Sequence, residues 1–301
     1  MKKYKICKIL LVILAIFLCV AFYELLGICV AYKKQPEVSN TTKKETKNGS
    51  WNECSENTER AVIIEKNPEA LLQRVRLIKN AKKEIILSTF AFQSDESGKL
   101  ILGALHDAAD RGVHIRLLVD GMESWIDMEG NPYFYGLSSH ENVEIKLYNK
   151  ANPLKPWKMM GRMHDKYLIA DGKRYILGGR NTYNYFLGDF PGHKNYDRDV
   201  LVVCDEPEKE NSVNQLLEYF ETIWEQEDSD YFHDNKKLAN RKSVKNAVLE
   251  LQNGYQKYFE ENKERICDTD YTDETFETEK IALVSNPIHT GSKEPVVWYQ
   301  L

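Results

Sequence analysis

Two short strand-like runs joined by Asp171-Gly172 constrain this chain more than any other stretch. Residues 164–170 and 174–177 flank an Asp-Gly pair of the kind that closes a tight hairpin, and Gly178-Gly179-Arg180-Asn181 follows at once. Side chains alternate along a strand, so His164 and Lys166 share a face with Leu168 and Ala170. That face starts polar and continues apolar, the pattern of a pocket at the end of a buried strand. A histidine, a lysine and, across the hairpin, Asn181 are then expected to converge on one anion. An imidazole near neutral pH attacks a phosphodiester or protonates its leaving group. Lysine charge and an asparagine amide hold the non-bridging oxygens, so no metal cofactor is needed. An H-x-K pair alone is weak, since it equally describes a strand with an incidental histidine and lysine.

The flanking sequence alternates strand and helix. A strand over 61–65 precedes Asn67-Pro68, read as an N-cap with proline at the first helical position, and a helix running to about residue 83. A strand over 84–92, a helix over about 99–111 closed by Gly112, and a strand over 113–120 follow. This order favours a right-handed crossover and a mixed, mostly parallel sheet flanked by helices. Residues 121–142 read as a loop, and 143–148 as a strand. The Pro156-Trp157-Lys158-Met159-Met160 segment is amphipathic. It suits contact with a bilayer or an acyl groove, or packing over the sheet, the last being favoured. A strand over 198–203 and an amphipathic helix over 210–226 complete the pattern, with Leu216, Leu217, Phe220, Ile223 and Trp224 inward.

The complete spacing, H-x-K-x-x-x-x-D and then G-G-x-N, resembles the signature of the phospholipase D superfamily. Gly179 stands where serine is usual, as in cardiolipin synthase-like members, and residues 60–226 match in order and spacing. The resemblance implies an α/β phospholipase D-like domain. It also implies that His164 is the nucleophile forming a phosphohistidine, and that Lys166 and Asn181 bind phosphate. Asp171 matches the motif's acid and is counted with His164 and Lys166 as catalytic, its role being to fix the hairpin rather than to transfer protons. A carboxylate that orients the imidazole aligns best with Asp199, with Asp197 as second choice. Family members use two facing H-x-K motifs, whereas His164 is the one histidine of seven here in that context.

Residues 1–8 are basic, and 9–32 are almost wholly apolar, longer than the ~20 residues that span a bilayer. The expected arrangement is one retained transmembrane helix in the cell membrane, preferred over a cleaved signal. Lysines before the span favour an extracytoplasmic catalytic domain. Residues 33–59 read as a polar linker and 227–280 as a charged helical extension, with a helix over 243–266 and an acidic linker over 268–279. A strand over 281–284 opens 281–301, read as the start of a truncated second domain. The six cysteines show no C-x-x-C spacing, and Cys54 and Cys267 are candidates for pairing outside the cell. A formal net charge of -5 gives no general attraction to nucleic acid. The membrane segment and the resemblance of Gly178-Gly179-Arg180-Asn181 to cardiolipin synthase-like members imply a phosphatidylglycerol-type membrane phospholipid as substrate, with phosphatidyl transfer of the cardiolipin synthase kind. A nuclease of the same superfamily, and an inactive half-protein or binding subunit, are the alternatives. The second H-x-K half is expected from another chain or from homodimerisation.

Overall fold

In the computed structural model the described residues are 2–33, 40, 59–158, 161–207, 210–233 and 236–285. They fall in two compact units.

The larger unit, from Gly49–Lys150 and Met163–Val284, is built on one nine-stranded sheet. Its strands are β1 (Glu59–Ile64), β2 (Glu84–Thr89), β3 (His114–Asp120), β4 (Val143–Tyr148), β5 (Lys166–Ala170), β6 (Arg174–Gly178), β7 (Asp199–Val203), β8 (Ser229–Tyr231) and β9 (Phe276–Thr278). Their spatial order is β8-β4-β3-β2-β5-β6-β7-β1-β9. The sheet is mixed, but not mostly parallel. Only β2–β3 and β3–β4 pair in parallel, and the other six pairings are antiparallel. The reason is local. Helix α2 (Asn67–Asn80) follows β1. The two parallel pairs are those joined by helical crossovers, α3 (Glu96–Asp110) between β2 and β3 and the 121–138 segment between β3 and β4. The tight turn at Asp171-Gly172 instead folds β6 back on β5.

One sheet face packs Leu87, Leu117, Ile145 and Leu168 against Leu71 and Val75 of α2 and Ile101 and Leu105 of α3. Helix α8 (Lys242–Glu261) lies on α3, and a Cβ at Gly103 would come within 2.7 Å of the Leu251 carbonyl. The opposite face is covered by α6 (Ser212–Trp224), which buries Val213, Leu216, Phe220, Ile223 and Trp224 but leaves Leu217 half-buried. Arg116 reaches under α6, its guanidinium 4.8 Å from the Phe220 ring centroid and bonded to Glu84 and Glu221.

Several expectations are corrected here. The loop over 121–142 contains two helices, α4 (Gly121–Asp127) and α5 (Pro132–Ser138), capped by Asp120 and Asn131. Asn67 is not an N-cap: its side chain reaches Arg180 and the Tyr185 and Asn195 carbonyls instead. The acidic run is no linker, because Arg76 bonds Glu274 and the Asp268 carbonyl, and β9 pairs with β1. Residues 281–284 form no strand. Cys267 is exposed and unbonded, while Cys54 lies outside the described residues, as do 286–301 of the expected second domain.

The smaller unit includes Met1–Asn48 and Ala151–Arg162. Its helix α1 (Lys2–Lys33) contains a stretch, Lys5–Val30, long and apolar enough to cross a membrane. The turn at Pro156–Lys158 packs against that helix.

Candidate active site

The site forms where β2 and β5 run past each other. Lys166 pairs with Thr89, the last residue of β2, so Phe90 and Ala91 leave the sheet beside the start of β5. His164 precedes the strand by two residues and is held through its neighbour. The buried Asp120 accepts from the Met163 N–H at 3.1 Å while its other oxygen caps α4. Asp120 is a positioning residue hidden, in sequence, as a strand-ending aspartate.

The His164 and Lys166 heads meet one ring. The imidazole packs edge-on to Phe90 at 4.4 Å between centroids, and the Lys166 Nζ lies 5.4 Å from the same centroid. Asp165, between them, points the other way and accepts from the Tyr219 hydroxyl at 2.9 Å. His164 is exposed, whereas Lys166 is 7% exposed and donates to the His164 carbonyl at 2.8 Å. Burial pushes the Lys166 ammonium down to about 8, against the opposing pull of Asp165 and Asp197.

Asn181 joins the same hub. Its Oδ1 accepts from the Ala91 N–H at 3.2 Å, and its side chain meets the Tyr183 hydroxyl. Thr182 then pairs across Phe92, fixing the chain on both sides of the amide. The Gly178-Gly179 pair has a steric cause. A Cβ at Gly178 would overlap the Asp199 carboxylate, and one at Gly179 the Asp197 carboxylate. Glycine replaces serine at 179 because Asp197 fills that volume.

Two site expectations change. Asp199 does not orient His164: it is buried in a clamp with Arg74 at 2.9 Å and Arg180 at 3.3 Å. Spacing alone could not separate two carboxylates two residues apart at the entry to β7, and Asp197 is the one whose charge is felt at Lys166. Asp171 lies at the opposite end of β5. Its carboxylate accepts from the Lys82, Lys83 and Glu84 N–H groups, and both Asp171 (φ 55°) and Gly172 (φ 63°) are left-handed. It is a turn and loop fixture with no part in the pocket. Arg180, fully buried and bonded to the Ile64 and Glu65 carbonyls and to Asn67, was missed as the variable residue of G-G-x-N.

A buried ammonium and an exposed imidazole on one ring, with an amide bonded to the backbone of the next residue, can bind an anion and attack it. Among the described residues no group of three or more His, Cys, Asp or Glu could hold a metal.

Residues 74–224 match the family model described as the PLD-like domain of cardiolipin synthase. The chain is 30% identical over 212 residues to an uncharacterized protein of Helicobacter pylori, covering 65% of this chain and 39% of that one. It is 29% identical over 171 residues to cardiolipin synthase C of Escherichia coli, covering 52% and 34% respectively. The matched region thus spans about two fifths or less of these relatives' length. Phosphatidylserine synthase of Haemophilus influenzae superposes with a TM-score of 0.48 at 16% identity, over 73% of this chain and 48% of that one.

Proposed function

The chain belongs to the phospholipase D superfamily, with a cardiolipin synthase-type domain, and on that premise we propose that it is a membrane-anchored phosphatidyltransferase or phosphodiesterase acting on phospholipid. The observation that carries this reading is the pairing of His164 and Lys166 on the Phe90 ring, with the ammonium buried and unmatched by any ion pair among the described residues. A bound phosphodiester supplies the missing negative charge. A His164 nitrogen then attacks phosphorus and the bond to the leaving alkoxide breaks. Lys166 and the Asn181 amide hold the non-bridging oxygens as charge builds on them. An acceptor hydroxyl later loses its proton and attacks the phosphohistidine, freeing the imidazole. With phosphatidylglycerol as both donor and acceptor, the products are cardiolipin and glycerol.

The alkoxide must gain a proton, and the described pocket presents one histidine. The reading therefore places the general acid on a second H-x-K domain, from a second copy of this chain or from another chain. Helix α1 serves as the anchor, with the lysines before it on the cytoplasmic side and the catalytic domain outside. Asp197, packed at Gly179 and with its charge felt at Lys166, is the carboxylate we assign to orienting the site.

The test is turnover by the full chain in phosphatidylglycerol vesicles. Cardiolipin should form in the presence of a chelator and vanish in His164→Ala. Since a general acid contributes ~10²–10⁴-fold, a chain held monomeric should give at most a trace. Cleavage of DNA without lipid turnover would instead place it among the nucleases of the superfamily.

A further inference from the structure

The smaller unit carries a surface the catalytic reading does not use. Of residues 5–30 in α1, only Ala21, Glu24, Gly27 and Ile28 lose substantial exposure. Spaced three, three and one apart, they lie on one side of the helix. The 151–158 turn fills that side. Pro156 is buried at Gly27, where a Cβ would overlap the proline ring, and the Tyr23 hydroxyl donates to the Leu154 carbonyl at 2.9 Å.

The turn has its own internal order. The Asn152 side chain accepts from the Leu154 N–H at 2.9 Å, the Asn152 carbonyl from the Lys155 N–H at 2.9 Å, and the Lys155 carbonyl from the Lys158 N–H at 2.9 Å. Yet this ordered turn exposes its apolar side chains: Leu154 is 77% and Trp157 47% exposed, with Lys155 exposed between them. A turn folded for its own sake has no reason to hold a leucine and a tryptophan in water.

Position along α1 says what covers them. At ~1.5 Å per residue, Tyr23 stands about 27 Å beyond Lys5, close to the ~30 Å thickness of the hydrocarbon layer. Tyr23 and Glu24 are then at the far interface, where tyrosine and tryptophan rings concentrate and lysines reach the headgroups. The turn docked there is held at the same depth.

We propose that the 151–158 turn is a second membrane contact, with Leu154 and Trp157 seated among the carbonyl-proximal parts of the acyl chains and Lys155 and Lys158 among the headgroups of an anionic bilayer. This rests on α1 being the anchor. Six residues separate Trp157 from His164 in the chain.

The experiment uses the full chain and its Trp157→Phe variant in phosphatidylglycerol–phosphatidylcholine vesicles whose acyl chains are brominated near the carbonyl. The difference between the two emission spectra isolates Trp157, and carbonate extraction of the same vesicles reports anchoring. The expected result is that Trp157 emission falls by roughly half or more, as for a ring at the headgroup boundary. Vesicles lacking phosphatidylglycerol, or the Lys155→Glu/Lys158→Glu variant, should reduce that quenching. A chain that resists carbonate while Trp157 keeps its full emission would overturn the contact and leave the anchor standing. A chain extracted by carbonate with Trp157 still quenched would overturn the anchor and keep the contact. Quenching equal in neutral vesicles would overturn the anionic specificity.

Discussion

The two ends of β5 hold charged groups under opposite conditions. At one end, Asp171 sits in a turn with three backbone N–H groups directed at its carboxylate. At the other, Lys166 is buried with the His164 carbonyl as its hydrogen-bond acceptor, and its ammonium is pushed down to about 8. Asp199, on the neighbouring part of the sheet, resembles the first end, since two arginines surround it. Charge that serves the fold is matched by fixed partners of opposite polarity, even where one oxygen, Asp199 Oδ1, is buried without a hydrogen-bond partner. Charge that serves a site keeps unused donors and carries a desolvation cost.

Removing a charge that is ion-paired inside the fold should produce the largest effect. Asp199→Ala leaves Arg74 and Arg180 buried without their counter-ion, and should lower unfolding stability by about 3–5 kcal/mol in urea titration. An unchanged midpoint would break the contrast. Asp171→Ala leaves the exposed Lys82 and Lys83 N–H groups to water and should cost about 0.5–1.5 kcal/mol, with phosphate affinity unaltered. A loss of phosphate binding at normal stability would return Asp171 to the pocket. Gly179→Ser sharpens the comparison within the site: its Cβ must displace Asp197, and turnover should fall on the order of 10–100-fold with little loss of stability. Faster turnover would show that the crowding is not functional.

The smallest effect is in pH. The unliganded Lys166 loses its proton through about pH 8, so inorganic phosphate should bind with constant strength below that value once the phosphate is fully ionised. Above it, affinity should weaken by ~tenfold per unit, followed by calorimetry. A flat profile up to pH 10 would mean the ammonium is not the anion's partner.

Much of this arrangement was legible in the residues. Period-two and period-3.6 patterns located β1 to β7 and α2, α3 and α6, with β4 matched at both ends, while the three-residue β8 was too short to show. The H-x-K alternation placed His164 and Lys166 together because one strand direction decides it. Helix α5 was missed although Asn131-Pro132 repeats the Asn67-Pro68 signal, because its seven residues give too short a period to count. Strand β9 was illegible for a different reason. Its Phe276-Glu277-Thr278 looks solvated until Arg60 and Arg76, some 200 residues away in sequence, neutralise the acidic run. The choice between Asp197 and Asp199 also depended on distant partners, Arg74 and Arg180.

Lys166→Met tests the contrast most directly when stability and phosphate binding are measured on the same sample. The folded ammonium titrates near 8 against an ordinary 10.5, so the fold prefers the neutral form. Wild-type stability should therefore rise between those values, and the charged form should cost about 1–3 kcal/mol at pH 7. The account predicts that Lys166→Met is the more stable protein at pH 7, that its advantage fades as pH approaches 10.5, and that it binds no phosphate. A variant destabilised like Asp199→Ala that still binds phosphate would contradict it.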